Sequence, residues 1–211
     1  MGVSENSPSQ RSGSIGGGTS SGKTSLLAST LTLVDDAERI VVVEDTAELA
    51  CDADHQVRLE ARPANPDGPP PIEVGDLVRT ALRLRPDRLV VGEVRGDEVL
   101  GLVQAMNTGH DGSFSTLHAN GALDALLRIE SLVLQAAPRW PLVAVRQQLA
   151  RSIDVVVHVA RTAAIRRVVD VSEVVESVGD STLRAPAVRR LMSLDGAGRT
   201  IRHDELRRGR R

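Results

Sequence analysis

The segment Gly17-Gly18-Thr19-Ser20-Ser21-Gly22-Lys23-Thr24 constrains this chain more than any other. It matches G-x-x-x-x-G-K-[ST], a loop whose glycines let successive backbone N–H groups curl around a polyphosphate. Such a loop needs a helix directly behind it, with the positive end of its dipole on the anion. Thr24–Thr32 (TSLLASTLT) reads as that helix. Gly17, Gly18, Thr19, Ser20, Ser21, Gly22, Lys23, Thr24 and Ser25 then form the phosphate-binding segment, with Lys23 reaching the terminal phosphates and the Thr24 hydroxyl available to Mg²⁺. The competing reading is a Gly/Ser linker that happens to contain GKT. Lys23 is the single lysine among 26 basic residues, and in a background drifted so far toward Arg the one retained lysine is informative.

The rest of the chain alternates strand and helix signals. Ile40–Glu44 (IVVVE) and Arg88–Glu93 (RLVVGE) are short apolar runs that read as buried strands, and His55–Ala61 alternates like a half-buried one. Apolar residues at 74, 77, 78, 81, 82 and 84 repeat at helical spacing over Ile72–Leu84, and Pro86 stops that helix. Val99–Met106, Leu123–Gln135 and Leu142–Ser152 read as helices. Ser113–His118, Val155–Val159 and Val168–Val175 read as strands, the last two joined by a short turn. This order predicts an α/β domain with a mostly parallel sheet that ends in a β-hairpin. Residues 1–15 are Ser-rich and read as a disordered tail, 16–183 as the domain. Residues 184–211 carry nine Arg against three acidic residues and read as a basic tail.

Two strands end in carboxylates: Glu44 and Asp45 follow IVVV, and Glu93 follows RLVVG. Ligands of open α/β sheets sit at the carboxyl ends of the strands, so these groups are expected to face the phosphates. There they could hold Mg²⁺ or polarise an attacking water. Each could instead be a solvated residue leaving a strand. His110 and His118 flank the segment TGHDGSFSTLHAN, and a neutral imidazole there could bridge a water and a phosphate oxygen. Their spacing does not suggest zinc.

Composition removes several classes. One Phe, one Trp and no Tyr leave almost nothing on which single-stranded nucleic acid could stack. The lone Cys51 excludes an internal disulfide and a cysteine-built zinc site. Met1–Gln10 has no apolar core of a secretory signal, and no apolar run approaches the roughly 18 residues of a membrane span. The expectation is a cytoplasmic protein without a transmembrane segment.

Taken in order, GGTSSGKTSLL, RIVVVEDTAEL, RLEARP, LRLRPDRLVVGEVRGDE and QAMNTGHDGSFSTLHAN resemble the secretion ATPases of type II and type IV systems. The resemblance is nearest to the CpaF-like branch that powers Tad/Flp pilus assembly, and it runs from Gly16 to about Val175. It implies a RecA-like P-loop core that binds ATP and Mg²⁺, with Gly17–Thr24 as the Walker A loop. Glu44, Asp45 and Glu48 would fall in the Asp box. Glu93 would be the catalytic carboxylate of an atypical Walker B strand and a metal-side group with Thr24, with Glu44 and His118 as further catalytic candidates. His110 and His118 would bracket the His box, and Arg58 and Arg62 would lie near the nucleotide or a subunit boundary. It also implies a homo-oligomeric ring, a hexamer in intact members, working against secretion or pilus platform proteins at the inner face of the cell membrane.

The sequence departs from that family in two respects. Where a strand should precede the phosphate loop it has SENSPSQRSGSI, so the central strand is expected to be missing and the chain to be N-terminally truncated. Ser20 stands where glycine is usual, which strains the backbone if that position needs a positive φ. Three functions remain open: an ATP-hydrolysing motor domain, a catalytically impaired remnant that binds nucleotide or ring partners, and an Arg-rich adaptor for anionic surfaces. Nucleic acid is not an expected partner, since no nucleic-acid motif accompanies the basic tail.

Overall fold

Val41 and Val43 face one layer of helices while Ile40 and Val42 face another, because successive side chains of a strand point to opposite sides. This is why IVVVE is apolar throughout: strand β2 (Ile40–Glu44) is buried on both faces. The computed structural model describes residues 11–51, 53–162, 165–175 and 186–205. In them a nine-stranded sheet runs in the order β3-β2-β4-β5-β1-β6-β7-β8-β9. Strands β1 (Gly13–Gly17), β2, β3 (Gln56–Glu60), β4 (Arg88–Val91), β5 (Phe114–Leu117) and β6 (Val155–Thr162) pair in parallel. Strands β7 (Ile165–Val175), β8 (Ala187–Leu194) and β9 (Thr200–Arg202) continue from β6 in antiparallel pairing.

Helix α1 (Lys23–Leu31) covers one face, where Leu27 and Leu31 meet Ile15, Ile40, Val42, Val90 and Val159. Helices α2 (Val74–Ala81), α3 (Glu98–Asn107), α4 (Ala122–Ala136) and α5 (Leu142–Ser152) contribute to the larger core on the other. A single 3₁₀ turn, Leu82–Leu84, extends α2. With almost no aromatics, this core is Val, Leu, Ile and Ala, as composition requires. Among the described residues no helix is long and apolar enough to cross a membrane.

The missing-strand expectation is wrong. Strand β1, GSIGG, stands in the middle of the sheet between β5 and β6, fully buried and running straight into the phosphate loop. It escapes a search for apolar runs because its neighbours crowd it too closely for side chains. A Cβ at Gly16 would stand 3.2 Å from Ala119 Cβ and 3.5 Å from Ala125 Cβ; one at Gly17 would meet Val159 O at 2.5 Å. Ser14 is satisfied across the sheet by Ser115, Oγ to Oγ 2.6 Å. Small residues here are the price of close packing, not a sign of disorder. The tail assigned to 1–15 therefore fails for Gly13–Ile15, and its first ten residues lie outside the described ones.

The basic tail is also corrected. Residues 187–194 and 200–202 are strands of the same sheet, so no boundary falls at 183. Arg189 pairs with Glu173 and Asp204, Arg190 with Asp170, Arg199 with Asp195 and Arg202 with Glu205. Glu173 and Asp170 on β7 thereby answer part of the surplus positive charge.

Candidate active site

Parallel strands send their carboxyl ends to one edge of the sheet, and four of them converge here. Thr19–Ser25 follow β1, Asp45, Thr46 and Glu48 follow β2, Gly92, Glu93 and Arg95–Glu98 follow β4, and His118 follows β5; together they line a cavity of about 810 Å³. Glu73–Gly75 at the start of α2 and Arg166 of β7 complete its wall.

The loop is held in its curl by its own lysine. Lys23 Nζ donates to Gly17 O and Gly18 O, each at 3.1 Å, and the side chain is almost fully buried. Burial pushes the Lys23 pKa down; Glu93 opposes that shift and Arg95 adds to it. Gly22 caps α1 at φ 99, in the left-handed region that favours glycine, and the first turn of α1 carries no acidic residue to repel an anion. Ser20 sits at φ 56, so the strain anticipated from its sequence position is present.

Glu93 is the best-placed carboxylate. Its Oε2 is paired with Arg95, and His118 Nε2 stands 2.9 Å from its Oε1. Oε1 is buried and accepts no hydrogen bond. Arg95 is pushed further up by its hydrogen bond and charge contact with Glu93, and Asp45 and Glu48 add to the effect. Glu98 fixes this loop by accepting from the backbone N–H groups of Arg95 and Gly96, the latter at 2.8 Å. Gly92 is required by close approach, since a Cβ there would stand 2.8 Å from Glu44 Cγ.

Glu44 lines the same cavity but its carboxylate is already engaged. Oε1 accepts from Glu48 N at 3.0 Å and Leu49 N at 2.8 Å, and Oε2 accepts from Arg58 at 3.1 Å. It shapes the loop that carries Asp45 and Glu48, and Arg58 reaches the site only through it. Arg62 is turned away, donating to Pro70 O at 2.9 Å. His110 is not brought to the loop either. It precedes β5, at the opposite sheet edge from His118, and its Nδ1 lies 3.2 Å from Ala105 O. Arg95, Glu98 and Arg166 were not singled out from sequence. For Arg95 the signal was present, two positions after Glu93 in VRGDE.

The cavity's donor set suits a magnesium polyphosphate. Ser21 Oγ and Glu93 Oε1 are buried in it without hydrogen bonds, as expected of atoms whose partner is a ligand, and Thr24 offers a hydroxyl beside them. Among the described residues there is no cluster of three His, Cys, Asp or Glu side chains able to hold a metal by themselves. A P-loop site has no need of one, because the phosphates supply ligands to the ion.

Comparison with known proteins agrees with this geometry. A Mycobacterium tuberculosis protein named for conjugal transfer is 51% identical over 152 residues, 72% of this chain and 42% of that protein. Conjugal transfer protein TrbB of Rhizobium radiobacter is 38% identical over 161 residues, 74% of this chain and 46% of that one. The VirB11 ATPase of the Brucella suis type IV secretion system, solved with sulphate, superposes with a TM-score of 0.69 at 28% identity, covering 78% of this chain and 48% of that one. The chain thus spans less than half the length of each. The pattern describing type II/IV secretion system proteins matches residues 9–203, and this chain belongs to that family.

Proposed function

We propose that this chain is the nucleotide-hydrolysing part of a motor for secretion or pilus assembly, binding Mg²⁺ and ATP at the carboxyl edge of its parallel strands. The observation that carries the reading is the juxtaposition of a curled phosphate loop with Glu93, whose buried Oε1 accepts no hydrogen bond and has His118 Nε2 2.9 Å away. Lys23 and the loop's N–H groups hold phosphate oxygens, and Thr24 and Glu93 stand on the metal side. Magnesium, when bound, neutralises charge on the phosphates. Glu93 orients and deprotonates the attacking water through Oε1, while Arg95 keeps Oε2 occupied. His118, at the end of β5, lies beside that water and the terminal phosphate.

The impaired-remnant reading drew on an absent strand before the loop and on Ser20 in place of glycine; β1 fills the strand's place, while Ser20 does adopt φ 56. The adaptor reading drew on a free basic tail, and Arg189, Arg190, Arg199 and Arg202 are paired. Ring assembly, most simply a hexamer, platform proteins at the inner face of the membrane and the CpaF-like Tad/Flp branch are the finer forms of the proposal. They are supported by the run of motifs from Gly16 to Val175.

The deciding experiment measures Mg·ATP binding and phosphate release by this chain, with Lys23→Ala as the comparison. Binding by the parent and its loss in a folded Lys23→Ala protein are expected. Equal affinity in both would sink the reading.

A further inference from the structure

Among the described residues lining the cavity, Arg166 alone comes from the antiparallel half of the sheet. It lies flat along the mouth of the phosphate loop: a Cβ on Gly22 would stand 3.1 Å from Arg166 Cδ, 3.7 Å from its Cβ and 3.9 Å from its Cγ. The glycine that opens α1 therefore has two roles. It supplies the left-handed turn, and it leaves room for an arginine stem above the first helical N–H groups. Arg166 stands directly opposite Arg161 in the β6–β7 pairing, so two guanidinium groups share one face of the sheet. The next residue, Arg167, points to the other face and donates to Gly198 O at 3.1 Å. Alternation along β7 thus separates an arginine at the phosphate loop from one with a structural partner.

We propose that Arg166 is a phosphate-binding residue of this site, clamping the polyphosphate from the side opposite Lys23 and tying the antiparallel strands to the occupancy of the loop. The inference rests on the nucleotide-binding reading above. Guanidinium is suited to the role, since its planar fork matches two phosphate oxygens, where an ammonium acts as a point charge. Arg166 is exposed and contributes little to the core, so its removal leaves the fold intact.

The test titrates the full chain and its Lys23→Ala, Arg166→Ala, Arg166→Lys and Arg167→Ala variants with Mg·ATP and with inorganic pyrophosphate, and records ligand-free melting points. Arg166→Ala is expected to weaken both ligands by about 10- to 100-fold, the size of a lost charge-assisted hydrogen bond or two. Arg166→Lys should recover only part of that, and Arg167→Ala should bind within about twofold of the parent. Parent-like affinity in Arg166→Ala, with binding lost in Lys23→Ala, overturns the clamp and leaves the phosphate-loop reading standing. Equal weakening in Arg166→Ala and Arg167→Ala overturns it in favour of general surface charge. A ligand-free melting point well below the parent's in both Arg166 variants overturns it in favour of a structural role. No binding by the parent brings down both readings together.

Discussion

Glu93 and Arg95 form an ion pair across two residues of one loop, and the pair uses only one of the two carboxylate oxygens. The other, Oε1, faces His118 Nε2 at 2.9 Å from the neighbouring strand end. A carboxylate divided in this way is fixed in orientation by the arginine on one side and the imidazole on the other.

Replacing Glu93 by Gln keeps the shape and removes the base. Mg·ATP affinity should stay within about threefold of the parent, while turnover falls by roughly 10²- to 10⁴-fold. Parallel binding and phosphate-release measurements check this, and unchanged turnover would move the water-activating role away from Glu93.

Lys23 gives a pH dependence whose sign follows from burial. Its folded pKa lies below the ordinary 10.5, so between that lowered value and 10.5 the unfolded chain binds the proton more readily. The cost of burying the charged lysine is complete at neutral pH and fades as pH rises through the folded pKa. Lys23→Met also gives up the bonds to Gly17 O and Gly18 O, so the signature is the pH trend: the urea midpoint of the parent relative to that of Lys23→Met should rise from pH 7 toward pH 10. A constant difference across that range would show that burial of charge does not contribute.

Ser20 holds φ 56 without the freedom of glycine. Ser20→Gly should relieve strain of about 1 kcal/mol, partly offset by the greater entropy of the unfolded glycine chain. A net gain of about 0.5 kcal/mol, and so a rise of roughly 1–2 °C in melting temperature, is expected for a protein of this size. A lower melting point would mean that the loop is stable through contacts of the serine side chain.

Gly16 lies 3.2 Å, measured from its would-be Cβ, from Ala119 on the next loop. Gly16→Val should cost about 1–3 kcal/mol by overpacking the strand against Ala119 and Ala125 of α4. Chemical denaturation reads the loss, and a parent-like midpoint would show that β1 is not clamped there.

Much of the fold was legible. The apolar strands β2 and β4 and helices α2 to α5 follow from periodicity, and the position of α1 follows from the loop motif. What escaped was built on other terms. Strand β1 is defined by how close its neighbours come, a property of the assembled sheet that no local pattern encodes. Strands β8 and β9 were hidden by arginines that read as solvated charge until Glu173 and Asp170 on β7 were seen beside them. For the site, residue type located the phosphate loop, Glu93 and His118. Topology decided between His118 and His110, because only the end of β5, and not its beginning, opens on the cavity. Arg166 could not be found locally, as it reaches the loop through the pairing of β6 with both β1 and β7.

The paired glycines at the end of β1 have a hereditary consequence. Every amino acid reached from a glycine codon by one base change carries a Cβ. At Gly17 that atom would meet Val159 O and Ser21 Oγ at 2.5 Å, and at Gly16 it would press on Ala119. Single-step mutation therefore offers Gly17 no compatible neighbour in sequence space, and offers Gly16 only alanine at the cost of a small shift of Ala119. Lineages keeping this fold can vary the surface of the sheet, but a side chain at Gly17 requires β6 to move in the same event.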